Sequence, residues 1–137
     1  MIFRAEKIPN HLWDANAAHL VTFGENRPQS LNSFHFVLGA VDGDNQLAGY
    51  CTCIELDKES LYLQHGGVLP NYAKSIYVLK SYGVCVEWCL QNYKRVSTKV
   101  QNTNISMLKL AMQMGFLIVG TSTFKDKVFV DLLLEYP

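Results

Sequence analysis

The segment Val68-Leu69-Pro70-Asn71-Tyr72-Ala73-Lys74-Ser75-Ile76-Tyr77 reads as a strand that runs through a loop into the head of a helix. The first amides of a helix lack internal partners and carry the positive end of its dipole, so this layout can hold a phosphate. It also serves as a plain structural turn. Further along, Asn104-Ile105-Ser106-Met107 opens a shorter helix that closes at Met114-Gly115-Phe116 and leads into a strand. Four cysteines stand as Cys51-x-Cys53 and Cys85-x-x-x-Cys89. Residues two apart share a face of a strand and residues four apart share a face of a helix, so each pair can aim its sulfurs one way. A four-thiolate zinc site is conceivable. Zinc knuckles, however, sit in tight turns, whereas these cysteines lie in long apolar segments. Free cysteine is among the most buried residue types, so the expectation is reduced core thiols and no metal. His11, His19 and His35 are scattered without ligand spacing, and no Ser-His-Asp or Cys-His arrangement stands out.

The elements that must position these groups follow from periodicity. Met1 to Ile8 alternates loosely as a first strand, and Pro9-Asn10 opens a helix with Trp13, Ala17, Leu20 and Val21 on one face. Gly24-Glu25-Asn26-Arg27-Pro28 ends it. Phe34 to Val41, Gln46 to Leu56 and Leu61 to Val68 form a three-stranded antiparallel meander, joined at Asp42-Gly43-Asp44-Asn45 and Asp57-Lys58-Glu59-Ser60. Ile76, Leu79, Gly83, Val86 and Leu90 then recur at helical spacing and mark the longest helix. Arg95 to Val100 is a short strand and Ile105 to Met114 a helix with Gly115 just past its end. Phe116 to Thr123 and Val128 to Leu134 make a closing hairpin around Lys125-Asp126-Lys127. The chain of 137 residues is read as one α+β domain, residues 1–137, with a mixed, mostly antiparallel sheet of six to seven strands and about three helices.

Composition narrows the partners. Apolar residues make up 49% and charged residues 18%, a globular balance. Twelve basic and twelve acidic side chains cancel, so no net field draws in nucleic acid or an anionic membrane, and neither is expected as a partner. No apolar run reaches membrane-spanning length and the start lacks a signal-peptide core, which points to a cytoplasmic protein.

In element order and in these two segments the chain resembles the GCN5-related N-acetyltransferase (GNAT) family, over nearly its whole length and most specifically from Leu61 to Gly120. Val68-Leu69-Pro70-Asn71-Tyr72 matches the family's V-x-P-x-Y, and the next residues occupy its pyrophosphate loop, R/Q-G-x-G-x-G/A. Tyr72 replaces the basic or amide position; Ala73, Ser75 and Tyr77 replace the glycines. Glycine lets the backbone approach phosphate oxygens closely, so the ring of Tyr77 is expected to crowd the site. Val100, Asn104, Leu110, Gly115 and Phe116 fall on the family's second motif, with Met107 at its alanine. Ala111 stands where many members carry the tyrosine that protonates the departing thiolate; alanine has no proton to give. Asn104 fits a helix N-cap as well as a coenzyme contact.

The resemblance implies an acetyl-CoA-dependent N-acetyltransferase with a variant pyrophosphate loop. Val68, Ala73, Lys74, Ser75, Ile76, Tyr77 and Asn104 would hold acetyl-CoA: backbone amides from Ser75, Ile76 and Tyr77, and charge from Lys74. A base for the incoming amine is often on the strand before the loop. His65, with an ordinary pKa of about 6.5, is there, although a histidine beside a diglycine is also a common structural residue. Gly66-Gly67 would mark the β-bulge that splays this strand from its neighbour. The acceptor would be a small-molecule or peptide amine. The alternative is a catalytically degenerate binding or assembly protein that keeps the fold, similar to acetyltransferase-like bacteriophage products of the virion or its morphogenesis. The aromatics of the long helix would then mark a surface for a homo-oligomer or another protein.

Overall fold

The structure, a computed structural model, describes residues 2–8 and 34–135. Strands β1 (Arg4–Ile8), β2 (Phe36–Val41), β3 (Leu47–Asp57) and β4 (Ser60–Val68) come first. A single 3₁₀ turn, Pro70–Tyr72, leads to helix α1 (Ser75–Asn92). Strand β5 (Arg95–Gln101), helix α2 (Ile105–Gln113) and strands β6 (Leu117–Phe124) and β7 (Lys127–Glu135) complete the chain. The expected helix from Pro9-Asn10 lies outside the described residues, which contain two α-helices.

All seven strands form one sheet in the order β1-β2-β3-β4-β5-β7-β6, and only the central pair, β4 and β5, runs parallel. The turns explain the antiparallel ends. In the β2–β3 turn the Asp42 carboxylate accepts from the N–H groups of Asp44 (2.8 Å) and Gln46 (3.0 Å), while Asn45 takes a left-handed φ of 63°. Lys125 and Asp126 both lie at positive φ (48° and 63°), the two-residue hairpin turn that suits the twist of β6 and β7. Gly115, at φ 100°, ends α2 where a side chain would be strained.

The core lies between the sheet and both helices. Leu38, Cys53, Leu61, Val96 and Leu132 from the strands pack with Cys85, Val86 and Cys89 of α1, Ala111 of α2 and the fully buried Phe116. Burying apolar surface of this extent is the main favourable term, about 25 cal/mol per Å². All four cysteines are free, three of them buried and Cys51 half-buried. The Cys53 thiol and burial push the Cys51 thiol well above its ordinary pKa, and burial pushes Cys85 up to about 12. Cys51 and Cys85 are thereby held in the thiol form. Among the described residues, no three His, Cys, Asp or Glu side chains are arranged to hold a metal ion, and no helix is long and apolar enough to cross a membrane.

One expectation is corrected. The bulge in β4 is at Gln64 and not at Gly66-Gly67: Thr52 pairs with His65 and Cys53 with Leu63, so Gln64 is the extra residue. The fully buried hydroxyl of Thr52 pins it, accepting from the His65 N–H at 3.2 Å and donating to Gln64 Oε1 at 3.1 Å. Gly66 is regularly paired with Cys51; a Cβ there would come within 2.8 Å of the Tyr50 carbonyl oxygen, so close strand approach explains the glycine. The aromatics of α1 are packed and not a free exposed set. Tyr77, Tyr82 and Trp88 are each half-buried. Trp88 packs edge-on against Phe36 with ring centroids 5.8 Å apart.

Candidate functional site

Strands β4 and β5 part company halfway along. Their parallel ladder runs from Ser60↔Arg95 to Leu63↔Thr98 and stops, although β4 stays paired with β3 as far as Val68 and β5 with β7 as far as Gln101. The Thr98 hydroxyl closes the ladder by donating to the Leu63 carbonyl at 3.0 Å. The bulge at Gln64 is the next residue of β4. An extra residue bends a strand and increases its local twist, which is a sufficient cause for the divergence at this point.

The gap holds a cavity of about 200 Å³. One wall is β4 from Leu63 to Val68, the opposite lip is Thr98 and Lys99 of β5, Met107 and Leu110 of α2 close one side, and the floor runs back over Leu38 and Ala40 of β2 and Gly49 to Cys51 of β3. Helix α1 lines it with Val78, Ser81, Tyr82, Cys85 and Val86, positions at helical spacing that face β4. Most of the lining is apolar. Among its polar groups, the Ser81 hydroxyl donates to the Val78 carbonyl at 3.2 Å and Thr98 is used as above. The Tyr82 hydroxyl is buried and has no hydrogen-bond partner among the described residues.

The head of α1 lies just before Val78, the first residue of the helix to line the cavity. Tyr72 N–H bonds back to Leu69 and Ala73 N–H to Pro70 within the 3₁₀ turn, and the Tyr77 and Val78 N–H groups both bond to the Lys74 carbonyl. Among the described residues, the N–H groups of Lys74, Ser75 and Ile76 have no protein partner. They are exposed, and the Lys74 side chain stands beside them. Three outward amides at a helix N-terminus, with a lysine, can take an anion.

The structure separates the residues expected at the site. His65 and Val68 line the cavity. Lys74, Ser75 and Ile76 are not among the lining residues; they stand at the head of α1, one turn before Val78, whereas the Ala73 and Tyr77 amides are consumed locally. The Tyr77 ring packs edge-on against Phe3 (6.2 Å) and Tyr72 (6.3 Å) and is not part of the cavity lining. Asn104 caps α2, its side chain accepting from the Met107 N–H at 3.2 Å, and it is not part of the lining. Ala111 is fully buried in the core. Tyr72 donates its hydroxyl to Asp42, tying the β2–β3 turn to the approach to α1. That bond is the main cause holding the Asp42 carboxyl below its usual range and raising the Tyr72 phenol. Thr52, Tyr82 and Lys99 were not singled out as site residues. For Tyr82 a signal existed: a phenol on the apolar stripe that also carries Val78 and Cys85.

No protein-family model matches the chain, and no curated protein matches its sequence. Solved structures do match. A GNAT family acetyltransferase from Elizabethkingia anophelis with acetyl-CoA bound superposes with a TM-score of 0.71 at 12% identity, over 98% of each chain. An acetyltransferase from Bacillus subtilis in complex with CoA gives 0.75 at 14% identity, over 98% of this chain and 99% of that one. The ribosomal-protein-S18-alanine N-acetyltransferase of Escherichia coli gives 0.74 at 10% identity, over 98% and 94%. At these identities the likeness establishes the fold: the chain has the GNAT, or acyl-CoA N-acyltransferase, fold.

Proposed function

We propose that this protein is an acetyl-CoA-dependent N-acetyltransferase that binds its coenzyme with a glycine-free loop. The observation that carries this reading is the split between β4 and β5, with the head of α1 following from β4 and the amides of Lys74, Ser75 and Ile76 having no partner among the described residues. The residues fit the group. A long, mostly apolar cleft suits a pantetheine arm, and a helix head with Lys74 suits its pyrophosphate. With the Tyr77 ring turned onto Phe3 and Tyr72, the missing glycines leave the helix head open. Val68 would flank the arm, and the edge of β4 beyond Leu63, where its ladder with β5 has ended, offers it a strand-like partner.

When bound, acetyl-CoA supplies an activated acetyl group for transfer to an amine. His65, which lines the cavity, would take the amine's proton, with water as its substitute. The acceptor class is a primary amine, on a small molecule or a peptide. Ala111 contributes no acid, so transfer depends on positioning, which alone can supply several kcal/mol, about 7–11 in well-oriented model reactions.

The test is release of free thiol from acetyl-CoA in the presence of a panel of polyamines, aminoglycosides and peptide N-termini. Amine-dependent release is expected, reduced about tenfold or more in His65→Ala if that side chain is the base. A second reading, a binding or assembly protein that keeps the fold, draws on Ala111 and on the commitment of Tyr72 to Asp42. Tight coenzyme binding without turnover on any amine would favour it.

A further inference from the structure

Most polar side chains around the cavity are already engaged by the protein. Ser81 and Thr98 donate to backbone carbonyls, and Thr52 holds the bulge behind Gln64 and His65. Tyr82 differs. Its ring lines the cavity from α1, and its hydroxyl is buried without a partner among the described residues. An unsatisfied buried hydroxyl costs about 1–3 kcal/mol, so in a native structure it calls for a physical account. Burial also pushes its pKa well up. The group is therefore a permanent donor, and the surrounding apolar wall favours a neutral acceptor over an anion.

Tyr82 is seven residues into α1 from Ser75, about 10 Å along the axis from the helix head at 1.5 Å per residue. The hydroxyl is out of contact with solvent as it stands, so the side chain has to swing toward the cavity to meet a ligand there. We propose that the Tyr82 hydroxyl donates a hydrogen bond to a carbonyl oxygen of the acyl-pantetheine arm, anchoring the ligand from α1; this rests on the coenzyme reading above. The role is one of holding. A phenol that keeps its proton so firmly does not replace the acid absent at Ala111, and no proton is transferred.

Tyr82→Phe tests this by two readouts that do not need turnover. Without ligand, removing an orphan hydroxyl raises the thermal midpoint by about 2 °C or more. With acetyl-CoA, calorimetry reads a Kd weakened about five- to tenfold, the value of one neutral hydrogen bond. A purely structural tyrosine would move both in the same direction, losing stability and affinity together. An unchanged Kd, or a lower ligand-free midpoint, overturns the inference and leaves the coenzyme reading intact. Absence of acetyl-CoA binding to the wild-type protein overturns the coenzyme reading, and this inference with it. Tyr82→Leu, measured alongside, guards against a Phe variant that misfolds: loss of affinity in a folded Leu variant supports the anchor, and retained affinity overturns it.

Discussion

Tyr72 occupies the position where the GNAT loop carries a basic or amide group, and here its hydroxyl belongs to Asp42. The consequence is a built-in acid sensitivity. Tyr72 first, and the Gln46 N–H next, hold the Asp42 carboxyl below its ordinary value. A carboxyl lowered in the folded state stabilises above its unfolded pKa of about 3.9, and that contribution is lost as pH falls through the folded value. Wild type should therefore lose stability between about pH 5 and pH 2, whereas Tyr72→Phe should start lower and fall less steeply, the curves converging in acid. Thermal midpoints of both proteins against pH measure this; parallel curves would refute it. At this scale the sequence was informative only where partners are local. Asn104 could be read as a cap because the Met107 amide it serves is three residues away. The orientation of Tyr77 could not be read, since one of its two ring partners, Phe3, is remote in sequence and the other, Tyr72, does not by itself fix which way the ring turns.

Among the elements, β4 is the one on which the site depends. Its bulge is set by a cross-strand contact: Thr52 of β3 accepts from the His65 N–H and faces Gln64. Thr52→Val keeps shape but leaves a buried N–H unpaired, which costs about 1–3 kcal/mol. Urea unfolding should show that loss, and coenzyme affinity should fall with it because the strand's departure from β5 starts at this bulge. A variant as stable and as tight as wild type would mean the divergence has another cause. Periodicity was enough to place α1 and α2 and the alternation of β2, β3 and β4, because those patterns are carried within each element. Gly66-Gly67 misdirected the bulge by a few residues: diglycine signals special backbone, and here the special feature is the approach of Tyr50, not an extra residue.

For the whole molecule, the order of elements and the two motif remnants sufficed to anticipate a strand pair that opens beside the longest helix, and the β4–β5 ladder does stop at Leu63↔Thr98. The cavity's inventory was less legible, because Tyr82, Lys99 and Met107 meet only once three elements are packed. If the cavity is a coenzyme site, ligand at a hundred times its Kd should stabilise the folded protein by about 2.7 kcal/mol, visible as a rise in thermal midpoint. That rise reports binding but not its place. An amide-resolved NMR titration with acetyl-CoA reports both. Saturable shifts at Lys74, Ser75 and Ile76, together with Gly66, Gly67 and Val68, are the predicted result. A spectrum that stays unchanged at millimolar coenzyme, or shifts confined to residues away from the opening of β4 and β5, would contradict the account.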